Sequence, residues 1–330
     1  MNACKLYLSS KIAEQHVSRE KEGELIIDVH YHYMRLPASD DIARNMASGL
    51  LLDAERAGVK KSLEDVLPAY RDLMDDPECD KLVRRMDENG IDVTAICVVD
   101  NVDFGIDNDR VLRINDYCAK AAAKHRGRLI SLAGIDPRRP EAPALFRKCI
   151  EEFGMNGLKW HPDNGYYPNS PEAYAVLEVA NELGMPLLTH CSPLPRSRAK
   201  YAMPIYLDDI ALDFPSIEII AAHMGHIWWH DWAALAKYKS NITGDLAMWQ
   251  LMFVSKPGLF RRYLREILDI LGPEQVLFAS DGPVFEPIVS NQDWVGIIKG
   301  LTTRGADGII FTEEEVDAIL GGNAARIFGL

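Results

Sequence analysis

His30 and His32 stand one residue apart at the end of the apolar run Leu25-Ile26-Ile27-Asp28-Val29. On a β-strand, residues two apart face the same side, so both imidazoles and the Asp28 carboxylate are expected to project together where the strand leaves the core. Neutral imidazole is a ligand for zinc and for its neighbours in the transition series. A His-x-His pair also occurs in exposed loops, and a buried pair can be satisfied by hydrogen bonds alone. The pair therefore needs partners elsewhere in the chain.

The elements that must position such partners follow from hydrophobic periodicity. Short apolar or β-branched runs alternate with longer stretches of helical period, the signature of repeated βα units. Strands are expected at 25–32, 93–99, 129–135, 156–161, 186–191, 217–223, 241–246 and 275–281. Ser170-Pro171-Glu172 should start a helix that Gly184 ends, with Ser170 as the cap and Pro171 in the first turn. Phe260, Tyr263, Leu264, Ile267, Leu268 and Leu271 form a helical stripe before Gly272-Pro273. Thr312 and Glu315 fit a capping box, and Asn323 is expected to cap a last short helix.

Eight βα units in one domain point to an α/β fold, a (β/α)8 TIM barrel, whose active sites lie at the C-terminal ends of the strands. The barrel domain is read as 25–330, with residues 1–24 as an N-terminal extension. An insertion after the first strand, about 33–85, contains a helix after Ser62 and is expected to cap the site or make a homodimer contact.

Composition narrows the partners. The 330 residues carry a formal charge of −13 and 48% hydrophobic residues. That gives no basic footprint for nucleic acid and enough apolar material for a substantial core. Six cysteines without a Cys-x-x-Cys pair fit reduced thiols in the cytoplasm. No signal peptide and no membrane span is read from the sequence.

The barrel rule makes a test, since further ligands should also end strands. His190 ends Met185-Pro186-Leu187-Leu188-Thr189, His223 ends Ile219-Ile220-Ala221-Ala222, and Asp281 follows Phe278-Ala279-Ser280. Each has a plainer reading: a terminal His can be satisfied by a backbone carbonyl, and an Asp before Gly282-Pro283 is a good turn residue. Their shared position at strand ends favours a common site.

With these segments in order, the chain resembles the amidohydrolase superfamily, in particular the amidohydrolase-related group that includes aminocarboxymuconate-semialdehyde decarboxylase. The likeness spans about 25–330. It rests on the segments above together with Gly157-Leu158-Lys159-Trp160-His161-Pro162, Ala222-His223-Met224-Gly225 and Gly322-Asn323-Ala324-Ala325-Arg326. The resemblance implies that His30, His32, His190 and Asp281 surround one divalent ion while His223 acts on substrate or bound water. Mixed nitrogen and oxygen ligation suits zinc, with manganese, iron or cobalt as alternatives. Such an ion lowers the pKa of bound water; Asp281 can take the water's proton and His223 can polarise the scissile group.

Lys159 either anchors a substrate carboxylate, pairs with an acid, or, carboxylated, bridges a second metal; the one-metal reading is preferred. His161, on the same strand face, is placed to touch substrate. Arg196, with Arg198 and Lys200 in the same loop, can bind a carboxylate, although a solvated loop serves equally well. His226 to Trp232 and Trp249 either wall the pocket or pack beneath it, and strand alternation turns Cys191 away from the metal. The expected activity is metal-dependent hydrolysis of a small ester, lactone or amide, and a carboxylated substrate is among those expected. The alternatives are metal-dependent decarboxylation of an unsaturated or aromatic carboxylic acid and a non-catalytic barrel.

Overall fold

In the computed structural model, which describes residues 25–34, 40–195 and 197–330, the eight apolar runs form one parallel sheet with its strands in chain order. The strands are β1 (Ile27–His32), β2 (Val93–Cys97), β3 (Leu129–Gly134), β4 (Leu158–Trp160), β5 (Leu187–His190), β6 (Ile219–Ala222), β7 (Ile242–Asp245) and β8 (Val276–Leu277). A parallel bridge between Tyr31 and Gly282, with His32 N–H donating to Gly282 O at 2.6 Å, joins β1 to the chain just past β8 and closes the barrel. The expected fold class is the observed one. Residues 1–24, read as an extension, lie outside the described residues.

Alternation sorts the strand side chains into two layers. Ile27, Val29, Ala95, Cys97, Ile130, Leu132, Leu188, Ile220, Ala222, Leu277 and Ala279 share an inner cluster, whereas Ile96, Leu158, Trp160, Ile219, Ala221 and Phe278 belong to the core beneath the helices. Ala324 and Phe328 join the inner cluster, and Gly321 packs so closely on the start of β1 that a Cβ would lie 1.8 Å from Leu25 O. The chain's end therefore plugs the barrel at the N-terminal ends of the strands, and the other end is left for chemistry.

Strand β8 is much shorter than the expected 275–281. Its backbone leaves the ladder after Leu277 because Phe278 N–H goes to Ile319 O at 2.8 Å and Ser280 N–H goes to the Asp28 carboxylate at 3.0 Å. Asn323 does not act as a helix cap. It sits within the run of helical turns that starts at Glu313, and its amide donates to Pro273 O at 2.7 Å and Val276 O at 2.8 Å, tying this run to β8.

The other helix signals act as read. Ser170 accepts from Ala173 N–H at 3.3 Å, and Gly184 ends the Pro171–Leu183 helix with φ 68°. Thr312 and Glu315 form their reciprocal capping box. In the Pro257–Leu271 helix, Phe260, Leu264, Ile267 and Leu268 are buried.

Between β1 and β2 the described residues form three helices, α1 (Asp40–Arg56), α2 (Leu63–Met74) and α3 (Asp80–Asn89). Ser62 opens α2 with a capping box, as its sequence suggests. Ala47, Leu50 and Ala54 of α1 and Val66, Leu67, Tyr70 and Met74 of α2 cluster with Met248, Leu251 and Phe285. Those last three residues follow β7 and β8, so the insertion covers the mouth of the barrel.

Candidate metal centre

Five imidazoles meet at that mouth. Ring centroids of His30 and His32 are 4.9 Å apart, His190 and His223 4.9 Å, His161 and His190 4.9 Å, and His30 and His223 5.4 Å. His30, His32, His190 and His223 are buried in the barrel and His161 nearly so. Strict alternation past the inner-facing Val29 would turn His30 outward. The β1–β2 register shifts between Asp28 and Tyr31, which lets His30 and His32 both reach the centre while Tyr31 points out to the helix layer. Asp28 does not join them. It accepts from His30 N–H at 3.1 Å and from Ser280 N–H and Oγ, and burial raises its pKa to about 7.

The outward nitrogen of several rings is already committed. His30 Nδ1 meets Asp245 Oδ2 at 3.1 Å, His223 Nδ1 meets Ala247 O at 3.2 Å, His190 Nε2 meets Ser192 O at 2.9 Å, and His161 Nδ1 meets Asp163 Oδ1 at 3.2 Å. A carbonyl or carboxylate there fixes the N–H on the outer nitrogen and leaves the inner one a bare lone pair. Two such lone pairs, His190 Nδ1 and His223 Nε2, face each other at 3.1 Å. His161 Nε2 is buried with no hydrogen-bond partner.

Asp281 adds the anionic donor. Its Oδ1 lies 2.9 Å from His32 Nε2 and 3.4 Å from His30 Nε2, but neither contact has the alignment of a hydrogen bond. Opposed lone pairs and an unaligned carboxylate oxygen are what a shared cation resolves, so the residues present fit a divalent ion. Among the described residues, two triads bring one ligand atom each within 4.8 Å: His30 with His32 and Cys97, and His30 with His223 and Asp245.

Electrostatics keep most of this set in the form that ligation needs. Burial holds His30 and His223 well below the ordinary imidazole range, helped by Lys159 at His30 and by His190 and His30 at His223. Burial likewise lowers His190, and pulls His161 down to about 3. His32 goes the other way: burial opposes its charge, but Cys97, whose Sγ is 3.7 Å from Nδ1, and Asp281 outweigh it and raise its pKa to about 9. At Asp281 burial is outweighed by His30 and His32, and the carboxyl is lowered.

Lys159 and His161 reach the centre from β4 and the residue after it. Lys159 is buried, with Nζ 2.7 Å from His30 Nε2. Arg196 lies outside the described residues. Trp229, Trp232 and Trp249 do not wall the pocket; they pack beneath the loops, where Trp249 Nε1 donates to His223 O at 2.9 Å and Trp232 Nε1 to Thr243 O at 3.2 Å. Cys191 is buried in the outer core, and desolvation raises its thiol pKa.

Sequence reasoning missed Asp245. Its Oδ2 holds His30, and its Oδ1 accepts from His223 N–H at 2.7 Å and Ala247 N–H at 3.1 Å. The signal was available, because Asp245 ends β7 as His190 ends β5. Ser192 and Tyr70 were also missed. Tyr70 is fully buried under the mouth; burial, then the Asp281 and Glu286 charges, push its phenol pKa up. No local pattern marks either residue.

This barrel agrees with the comparisons. The Amidohydrolase family model (Amidohydro_2) matches residues 27–330, and the chain belongs to that family. It is accordingly an enzyme of the amidohydrolase superfamily. No curated protein matches the sequence.

Among solved structures, 5-carboxyvanillate decarboxylase LigW from Sphingomonas paucimobilis aligns with TM-score 0.62 and 19% identity, covering 93% of this chain and 99% of its own. The 5-carboxyvanillate decarboxylase of Novosphingobium aromaticivorans, complexed with manganese and a hydroxy-methoxy-nitrobenzoic acid, gives 0.64 and 16%, covering 95% and 98%. A 2,6-dihydroxybenzoate decarboxylase complexed with 2,6-dihydroxybenzoate gives 0.63 and 18%, covering 93% and 100%. At these identities the likeness establishes the fold.

These neighbours correct the expectation of hydrolysis, because the reaction they name is decarboxylation, the alternative reading. The coarser expectation of a divalent ion stands. Zinc as its identity gains no support, since the ion named beside the Novosphingobium enzyme is manganese. No helix among the described residues is long and apolar enough to cross a membrane.

Proposed function

We propose that the protein is a metal-dependent decarboxylase of a small aromatic carboxylic acid, a carbon–carbon lyase. The observation that supports this reading is the buried meeting of the His30, His32, His190 and His223 imidazoles, with Asp281 Oδ1 beside His30 and His32 and His190 Nδ1 beside His223 Nε2, in a barrel that aligns along nearly its whole length with decarboxylases of hydroxylated benzoates. His30, His32, His190 and Asp281 would hold one divalent ion. When bound, that ion supplies a fixed positive charge that orients an acid and stabilises negative charge developing on it.

The rest falls to the chain's own groups. Decarboxylation breaks the bond between the ring carbon and the carboxylate, leaves the electron pair on that carbon, and replaces carbon dioxide with one proton. Lys159 supplies an amine inside the cavity, in reach of a substrate carboxylate or phenolate, and His161, with its free Nε2, offers a second polar contact. Arg196 remains a carboxylate-binding proposal from its loop position. His223 and Asp281 flank the reacting position and manage the proton; His223 is oriented through Nδ1 by Ala247 O and through its backbone N–H by Asp245.

The apolar roof suits the ring of an aromatic acid. Met248, Leu251, Phe285 and Tyr70 close the mouth, excluding water from a site where charge must develop on carbon.

The test is to load the protein with Mn2+ and follow carbon dioxide release from a panel of hydroxybenzoic acids, with deuterium incorporation from heavy water at the vacated ring position. Release with label supports the reading. Turnover of the panel without carbon dioxide release opposes it.

A further inference from the structure

The turn that aims Asp281 is held from above by the insertion. Asp281 has φ 53°, a left-handed conformation uncommon for residues with a Cβ, although Asp adopts it more readily than most. The following turn closes through Val284 N–H donating to Asp281 O at 2.9 Å, and the Val284 carbonyl in turn accepts the Tyr70 hydroxyl. Tyr70 is fully buried in α2, and its neighbours there pack on Phe285, the next residue of the same loop.

Two more contacts tie the insertion to this segment. Lys61 Nζ donates to Pro287 O at 2.6 Å, and Arg85 of α3 donates to the Tyr31 hydroxyl at 2.9 Å. The Tyr31 ring lies against Gly282 so closely that a Cβ there would be 2.2 Å from it. The loop that carries Asp281 is thus gripped between β1 and the insertion.

We infer that Tyr70 is a positioning residue for the metal site: through the Val284 carbonyl it fixes the Asp281 turn, so the insertion completes the centre as well as covering it. The inference rests on the reading of Asp281 as a metal ligand. A phenol suits the role because its hydroxyl reaches the carbonyl from a helix while its ring stays in the apolar roof. Outer partners of metal ligands act in this way, by orienting a donor they do not replace.

The experiment is Mn2+ titration of metal-stripped full-length protein, read by electron paramagnetic resonance, for wild type, Tyr70→Phe and Asp281→Ala, with melting temperatures of each. Tyr70→Phe keeps the ring, and it should weaken Mn2+ binding about tenfold and broaden the bound-ion signal while Tm moves by only a few degrees. Unchanged affinity and signal in Tyr70→Phe, alongside lost affinity in Asp281→Ala, overturns the positioning role alone. Unchanged affinity in Asp281→Ala overturns the ligand reading on which it stands. A Tm drop in Tyr70→Phe with affinity and signal intact makes Tyr70 a packing residue and also overturns the inference. If Tyr70→Phe does not fold, Lys61→Met, which removes the tie to Pro287, must weaken Mn2+ binding for the inference to survive.

Discussion

Asp245 Oδ2 stands 3.1 Å from His30 Nδ1, while the other oxygen of the same carboxylate takes the backbone N–H groups of His223 and Ala247. One buried side chain therefore sets the tautomer of a proposed ligand and the backbone of the proposed proton carrier. Burial raises its pKa to about 6, against the backbone donors of His223 and Ala247 and the Lys159 charge, which lower it.

Asp245→Asn keeps an oxygen for the two backbone donors but turns an NH2 group towards His30 Nδ1. The imidazole must then move its proton to Nε2, the nitrogen that faces the centre. Metal affinity should fall about 10- to 100-fold, measured by titration of metal-stripped protein. An Asn variant that binds metal as wild type does would remove Asp245 from the account.

Asn323→Ala takes the side-chain donor away from Val276 O and from Pro273 O, of which Pro273 O keeps the Val276 N–H, at the base of β8. Unpaired buried acceptors cost about 1–3 kcal/mol, so urea denaturation should show a loss of that size with activity per folded molecule unchanged. A loss of activity at full stability would mean that this end of the barrel communicates with the site.

Gly134→Ala places a Cβ 2.1 Å from the backbone oxygen of Val98, an atom that cannot swing aside. Overpacking of this kind costs about 1–3 kcal/mol, and the β2–β3 pair should lose protection in hydrogen exchange. Wild-type stability in this variant would mean that β2 and β3 part more easily than their packing implies.

Much of the barrel was legible because its signals are local. Apolar runs ending in His30, His190, His223 and Asp281 mark strand ends directly, and Ser170, Gly184 and Thr312 mark helix ends through their own backbone needs. What escaped depends on distant partners. The bulge that separates Asp28 from His30 is a property of the β1–β2 register, β8 is cut short by Ile319 and Asp28, and Asn323 is recruited by carbonyls about 50 residues earlier. Tyr70 escaped for the same reason, since its partner Val284 lies across the roof. Asp245 is different: the strand-end rule that found His190 would have found it too.

The Glu315 carboxylate accepts two hydrogen bonds from Arg265, at 2.7 and 2.8 Å, and is held below the ordinary range by that contact. Because the folded-state pKa lies below the unfolded one, its contribution is fully present above the unfolded value of 4.5 and is lost as pH falls through the lowered folded value. Glu315→Gln should therefore flatten the acid limb of stability, by at most about 1 kcal/mol for a partly exposed pair. Thermal melts between pH 3 and 7, on the order of the usual carboxylate range, give the slope; a difference that persists undiminished at the acid end would show that charge is not the cause.

His223→Ala, assayed beside wild type for metal content and for carbon dioxide release from hydroxybenzoic acids, separates proton transfer at His223 from metal ligation. The variant should retain its divalent ion and lose at least about 100-fold in decarboxylation, while wild type releases carbon dioxide only when metal-loaded. Carbon dioxide release by metal-free wild type, or an unimpaired His223→Ala enzyme, would contradict these expectations.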